Sequence, residues 1–517
     1  MSRALSPRRP GLRRRLFNLD SVALWGGQLL RAASGRPWWI AATGVLVVGG
    51  AVAGLHPPTS GAWFWHLANG ELIRHHGLGG TTQYLARPGA ALDLRSWLSD
   101  VGLLFIYRGG GLGRLEVVGA LGGAVVGLLL LLAIRYGGRA HPLAVVVAGG
   151  LSTAALAPVL TDLPSEVLAL LAAALLLALA AVGRHGWWGV GALVALVVVW
   201  TNTQADAFLV VLVIWGWLAF AHGDAARSGR APAPTWWLVP LTGLAVLLSP
   251  RGIGTLGDLP LSLGMGGEHP LVAAWSSIDF HPWSARIAEL AGVLLLFSYW
   301  VAGSRLRRAD AYLGLVTAVL ALLWANYLPW FLVVVAVQSS WYLSAAWLPQ
   351  KTGSEHPARS LSRRTSPSQL VSAAAAIPLL VSLGLLTSGV AAVGRGGGAT
   401  GQTTSQLPVQ AAGWLAAHPA RRAWFTTPLF GDYLSARFPT GRHLLCVDDP
   451  LRLAGPVLGQ CQELTVLNAG AMAMLRSLRA RLAVLPRAAP AAVFLLAQGW
   501  EIRYRDSTTV ILAPRNL

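Results

Sequence analysis

The sequence predicts an all-α polytopic transmembrane bundle of about eleven helices, followed by a small α/β domain at its C-terminal end. Three observations predict it. The 517 residues are 54% hydrophobic and 12% charged, with a mean hydropathy of +0.56, whereas soluble domains carry about 25% charged residues. Half a dozen stretches approach or exceed the roughly 18–20 apolar residues that cross a bilayer. Charge also alternates with the apolar runs. Arg8, Arg9, Arg13, Arg14 and Arg15 precede the first run, and Arg135 and Arg139 follow the second. Arg227 and Arg230, then Arg305, Arg307 and Arg308, then Lys351, Arg359, Arg363 and Arg364 occupy every second loop. Basic loops stay in the cytoplasm. This puts the N-terminus in the cytoplasm and the segment after residue 393 on the outer side of the membrane.

Residues 1–37 read as a basic cytoplasmic arm. Within it Val22, Leu24, Trp25, Leu29 and Leu30 suit a short amphipathic helix on the inner surface. Arg-rich Met1–Arg15 resembles a signal n-region, but the run Trp38–Leu55 is too long for an h-region, so it reads as an uncleaved first span. Spans are expected near 38–55, 115–134, 143–160, 166–183, 188–201, 207–221, 235–249, 285–302, 311–325, 329–348 and 370–393, together forming a membrane domain over 38–393. Leu98–Tyr107 is too short to cross and suits an interfacial or re-entrant helix. If it crossed, every later loop would change sides. Two outer loops are long, 56–97 and 250–284. The first holds the aromatic amphipathic helix Ala62–Ile73, and the second holds Trp275, Asp279, His281 and Trp283.

Residues 394–406 form a linker rich in Gly, Thr and Ser. The extracytoplasmic domain, 407–517, alternates helix and strand. Helices are expected at Val409–His418, Gly431–Ala436, Ala471–Leu482 and Ala491–Gln498, and strands at Arg422–Thr426 and His443–Asp448. A terminal hairpin, Glu501–Tyr504 with Thr508–Leu512, turns around Asp506-Ser507. Cys446 and Cys461 either form a disulfide or sit as two small buried residues.

The net charge of +19 does not point to nucleic acid. The arginines lie beside spans, where they set orientation and meet anionic headgroups of the lipid bilayer. No phosphate-cradling Gly-rich loop, paired-Cys motif or HExxH helix is present. Asp448-Asp449 suits a turn or cap better than a metal. The distributed signal is stronger. His66, Asp93, Asp100, Asp162, Glu166, Asn202, Gln204, Asp206, Asp279, His281 and Asn326 all map to outer span ends or outer loops. Ionisable groups near lipid are costly and face water or one another. Such a cavity could hold a divalent cation and a lipid phosphate, and could activate an acceptor hydroxyl by general-base action. The competing explanation is that these residues cap helix ends. Asp279 with His281, between Trp275 and Trp283, is least explained by capping.

At these residues the chain resembles a bacterial family of polytopic proteins related to the GT-C glycosyltransferases, which use polyprenyl-phosphate sugars at the outer membrane face. Trp65-His66-Leu67-Ala68-Asn69-Gly70 is similar to a Trp-His-Leu-x-x-Gly pattern after the first span. Ser96-Trp97-Leu98, Asn202, Leu248-Ser249-Pro250-Arg251-Gly252, Ser277-Ile278-Asp279-Phe280-His281 and Asn326-Tyr327-Leu328-Pro329 follow in the family's order. Phe430-Gly431-Asp432-Tyr433-Leu434, Val447-Asp448 and Gly499-Trp500 with Tyr504 and Asp506 resemble its periplasmic domain. The resemblance implies a membrane glycosyltransferase with a polyprenyl-phosphate sugar as donor. Asp279, His281, Asp93 and Asp100 are then candidates for base or metal ligand. His66, Trp65, Arg251, Asn202 and Asn326 are candidates for substrate binding. The chain also departs from the pattern. Ser60 and Ala62 stand where the family has Asp, and Leu163 and Gln204 replace basic or His positions. A catalytically inactive subunit of a larger membrane assembly, with other membrane proteins as partners, is the alternative.

Overall fold

The computed structural model describes residues 36–54, 62–82, 90–92, 94–109, 111–137, 140–157, 163–185, 187–227, 235–262, 277–347, 407–418, 423–438, 467, 470–477 and 480–515. The first span, α1, has three pieces: Arg36–Thr43, a π-helical turn Gly44–Val48, and Gly49–Gly54. Helix α2 covers Ala62–His76, a two-residue hairpin pairs β1 (Thr81–Thr82) with β2 (Ala90–Ala91), and α3 covers Trp97–Arg108. The bundle continues with α4 (Gly111–Gly137), α5 (Pro142–Leu156), α6 (Leu163–His185), α7 (Trp187–Thr203), α8 (Ala207–Arg227) and α9 (Leu238–Val246). A 3₁₀ helix, Gly252–Asp258, leads into the single turn Leu259–Ser262. Helices α10 (Trp283–Ala302), α11 (Arg308–Leu323) and α12 (Leu328–Trp347) complete the described bundle.

Ten bundle helices, α1 and α4–α12, thus stand where ten of the eleven spans were expected, so the expected count is approximate. The eleventh, 370–393, lies outside the described residues, as do the N-terminal amphipathic helix, the linker, Cys446 and Cys461. Among the described residues four helices are long and apolar enough to cross a membrane: Gly113–Gly137, Ala207–Arg227, Ala285–Arg305 and Ala325–Ala345. Helix α3 has 12 residues, about 18 Å at 1.5 Å per residue, against a hydrocarbon core of about 30 Å.

Two packing devices organise the bundle. The chain carries Gly50 and Gly54 on α1 opposite Gly119, Gly123 and Gly127 on α4, and a Cβ at any of these five would overlap backbone of the partner helix. Without water between them, transmembrane helices associate through such close backbone contact. Helix α12 is buried on every side: Leu332 through Val337 are all 0% exposed. A helix that is apolar all round belongs in the centre of a bundle, and α12 packs on α5, α6, α10 and α11. At the end that carries Arg135, Arg227, Arg305 and Arg307, the rings of Trp187, Trp188, Trp236, Trp237 and Trp300 are exposed, as in an interfacial aromatic belt. The opposite end is the site end.

The C-terminal domain contains α13 (Val409–Ala417), β3 (Ala423–Thr426), α14 (Pro428–Arg437), α15 (Ala471–Ser477), β4 (Ala480–Pro486), α16 (Pro490–Ala497), β5 (Trp500–Arg505) and β6 (Thr509–Pro514). The sheet order is β3-β4-β6-β5, with β3 parallel to β4 and the other pairs antiparallel. Side chains alternate across it. Phe425, Ala483, Leu485 and Leu512 pack under α15 and α16, while Trp424, Leu482, Val484 and Ile511 pack under α13 and α14. The expected helix Ala471–Leu482 ends at Ser477, and Ala480–Leu482 begin a central strand. A short apolar run buried on both faces has no period that separates strand from helix. The expected strand His443–Asp448 lies outside the described residues. The domain docks on α2: Phe64 meets Tyr433 edge-on at 5.1 Å, and Leu407, Leu429 and Tyr433 pack against Trp63, Phe64 and Leu67.

Overpacking a close-packed contact costs about 1–3 kcal/mol or more. Gly123→Val should therefore lower the thermal unfolding midpoint in detergent by several degrees. Gly113→Ala adds a methyl where nothing lies within 4 Å, and should leave that midpoint unchanged or raise it slightly.

Candidate functional site

The site end is built on a crossing of α2 and α3. Position 70 must be glycine there, because a Cβ would overlap the Asp100 carbonyl. That contact brings the second motif onto the first. Asp100 lies in the first turn of α3 and is 0% exposed. Its Oδ1 meets His66 Nδ1 at 2.5 Å and accepts from Ser96 Oγ at 3.1 Å, while Oδ2 accepts from Asn69 Nδ2. His66 and Asn69 are three apart, so both face the same side of α2. Burying a carboxylate without partners is costly; here three side chains and a helix N-terminus share its charge.

The network continues from α3 to the neighbouring helices. Trp97 Nε1 donates to Asn202 Oδ1 at 2.6 Å, and Asn202 Nδ2 donates to the Leu248 carbonyl at 3.0 Å. Ser99 Oγ donates to the Thr203 carbonyl at 3.0 Å. Asn202 thereby ties the C-terminal end of α7 to α3 and to the Leu248–Gly252 turn. Just beyond that turn, Asp258 is 2% exposed. It accepts from Arg95 Nε at 3.0 Å and from Arg251 Nη1. Two guanidiniums therefore meet at one buried carboxylate close to the Asp100 cluster.

On the far side of α2, Glu71 binds Arg108 and Arg74 at 2.7 and 2.8 Å and His75 at 2.8 Å. Burial alone would raise its carboxyl, but these partners outweigh burial and hold it below the ordinary value. The ion pair fixes the C-terminal end of α2 to that of α3.

The structure thus brings Asp100, His66, Asn202 and Arg251 into one connected region, with Trp65 buried on α2 beside His66. Asn326 is half-buried in the 3₁₀ turn Ala325–Tyr327 before α12. Asp279 and His281 are not in a pocket. Their side chains are 68% and 94% exposed, and they bind each other at 2.6 Å. Hydrogen bonds from the His281 backbone and ring hold the Asp279 carboxyl below its usual range. Asp206 sits in the turn before α8, is buried and accepts from Trp200 Nε1 at 2.9 Å. Asp93, Asp162 and Trp275 lie outside the described residues. Among the described residues no group of three or more His, Cys, Asp or Glu could hold a metal ion.

Sequence reasoning missed Asn69, Ser96, Arg95, Asp258 and Glu71 as parts of this region. Asn69 and Ser96 stand inside the quoted motifs. Arg251 and Asp258 are seven apart, two helical turns, which is a weak local signal. Arg95 reaches Asp258 across 163 positions, and no local pattern announces it.

This fold is shared with several solved structures. ArnT from Cupriavidus metallidurans, in a structure with bound undecaprenyl phosphate, is similar with a TM-score of 0.50 and 14% identity, covering 92% of this chain and 97% of that one. The arabinofuranosyltransferase AftD from mycobacteria gives 0.56 and 15%, covering 93% of this chain and 40% of that one. The oligosaccharyltransferase AglB from Archaeoglobus fulgidus, in complex with an inhibitory peptide and a dolichol phosphate, gives 0.53 and 11%, covering 90% and 69%. No protein-family model matches the sequence, and no curated protein matches it. Identities this low establish the fold.

Leaving a buried hydrogen-bonding group unsatisfied costs about 1–3 kcal/mol, and Asp100 serves three such groups. Asp100→Ala should therefore lower the detergent unfolding midpoint strongly. Asp100→Asn, which keeps one acceptor oxygen, should lower it less, and Asp279→Ala should leave it unchanged.

Proposed function

We propose that this chain is a membrane glycosyltransferase that takes a sugar from a polyprenyl-phosphate carrier and transfers it to an acceptor at the site end, on the outer face of the bacterial inner membrane. The observation that carries this reading is the juxtaposition, on a GT-C fold, of the His66–Asp100 pair with the Arg95–Asp258–Arg251 cluster. Asp100 holds Nδ1 of His66, which fixes the ring and disposes Nε2 to accept a proton from an acceptor hydroxyl. Arg251, whose guanidinium is a planar fork that suits phosphate oxygens, stands where the carrier phosphate would lie. The step is an inverting displacement. The acceptor oxygen forms a bond to the anomeric carbon, the bond to the carrier phosphate oxygen breaks, and the phosphate leaves with the electron pair. The acceptor proton passes to His66.

A second reading is supported by a specific observation. Asp100 and Asp258 are engaged in internal bonds, and Asp279 and His281 bind each other in the open. The same scaffold would then serve as a non-catalytic subunit of a membrane assembly, with Trp-rich loops meeting its partners.

The test uses purified protein in lipid nanodiscs with synthetic polyprenyl-phosphate sugars. The enzyme reading expects transfer, a loss of about 10²–10⁴-fold in His66→Ala, and weaker carrier binding in Arg251→Ala. Carrier binding that is absent from the wild type, with stable co-purification of other membrane proteins, would establish the scaffold reading instead.

A further inference from the structure

The C-terminal domain holds a cavity of about 630 Å³ that the membrane site does not use. It opens where the parallel strands β3 and β4 end, and its wall is formed by Thr427, Leu429, Phe430, Arg487, Ser507 and Thr508 with Pro486 and Ala488. Four features of this wall point the same way. Helix α14, ten residues long, begins here with Pro428 after Thr427, so the amides of its first turn face the strand ends. Thr427 occupies the capping position without making the cap bond, and its hydroxyl oxygen is buried with no partner. Arg487 is exposed at the rim, and its guanidinium has no ion-pair partner among the described residues. The nearby carboxylate, Asp506, is committed to its own turn. It accepts from the Thr508 amide at 2.8 Å, the Thr508 hydroxyl at 2.9 Å, the Thr509 amide at 2.7 Å and the Tyr504 hydroxyl at 3.1 Å.

We infer that this cavity is a binding site for a small anionic sugar, whose phosphate or carboxylate is held between Arg487, the start of α14 and the Ser507 hydroxyl. Uncapped helix amides and a cation favour a negative charge at this spot. The remaining wall is apolar, with Leu429 and Phe430 on one side and Pro486 and Ala488 on the other, which suits the carbon face of a sugar ring. The volume lies within the range of small-molecule pockets, about 300–1,000 Å³. Leu429 also belongs to the cluster that seats the domain on α2, so the cavity stands next to the membrane domain's site end. The inference does not require the chain to be catalytic.

The test is equilibrium binding to the full-length protein in detergent, read by ligand-observed NMR, with glucose 1-phosphate, glucuronate, inorganic phosphate and uncharged glucose as probes. Saturable binding of glucose 1-phosphate or glucuronate, at least tenfold tighter than glucose, is expected. Arg487→Ala and Thr427→Asp, which puts a like charge at the start of α14, should each weaken it at least tenfold, while Arg487→Lys should retain part of it. Binding of the phosphate sugar but not glucuronate assigns a phosphate site, and the reverse assigns a carboxylate site. Binding of inorganic phosphate as tight as that of the sugar phosphate would overturn the sugar assignment. No saturable binding by either charged sugar, or equal binding in wild type and Arg487→Ala, would overturn the site altogether.

Discussion

The carboxylate of Asp100 is the constraint on which the site end depends. It is withdrawn from water, and that state persists because His66, Asn69 and Ser96 surround it and because Gly70 lets α2 approach α3 closely enough for them to reach. A buried charge is tolerated when its hydrogen-bonding capacity is filled. The same geometry orients the His66 ring, places Trp97 against Asn202, and so links the α2–α3 pair to the ends of α7 and α9. Loss of any one of these contacts would leave polar groups stranded in an apolar setting, so the cluster behaves as a unit.

The fold around this cluster answers a different demand. In a bundle surrounded by lipid, hydrophobicity does not discriminate between neighbours, and shape does so instead. The glycines of α1 and α4 supply the closest approach, and α12 supplies an apolar axis for the remaining helices. The buried ion-pair and carboxylate networks then lie toward the two ends, while mid-helix Thr and Ser side chains such as Thr242, Thr317 and Ser340 bond backbone carbonyls of their own helices. At the arginine-rich end, exposed Arg307 and buried Tyr342 bind the buried Asp310 carboxylate, and the Asp100 and Asp258 clusters form at the other. The C-terminal domain covers the second end through aromatic packing on α2, which places a soluble cavity and a membrane-embedded polar cluster within one continuous region.

Much of this architecture was legible in the sequence because its signals are local. Ten bundle helices could be read from runs of apolar residues, and the helix at Ala62 from its aromatic spacing. The hairpin around Asp506-Ser507 has its turn chemistry written in adjacent residues. The site was legible only in part. His66, Asn202 and Arg251 stand in short motifs whose order suggests a shared region, and Asp100 stands out as an acid at an outer helix end. Asp258 and Arg95 do not, since their pairing is created by tertiary structure alone. The strand at Ala480 was hidden for the same reason: its burial on both faces erases the alternation that marks a strand. Asp279 and His281, an acid and a histidine two residues apart, bind each other on an exposed turn, a contact that their spacing alone makes available.

The central claim is that His66 and Asp100 act as one coupled pair at the base of the site. A double-mutant cycle on unfolding free energy in detergent, built from His66→Ala, Asp100→Asn and the double variant, measures that coupling directly. The account predicts a coupling energy of about 0.5–3 kcal/mol, the range for residues sharing one hydrogen-bond network. Additive effects, agreeing within about 0.3–0.5 kcal/mol, would contradict it and remove the basis for assigning His66 a role at the site.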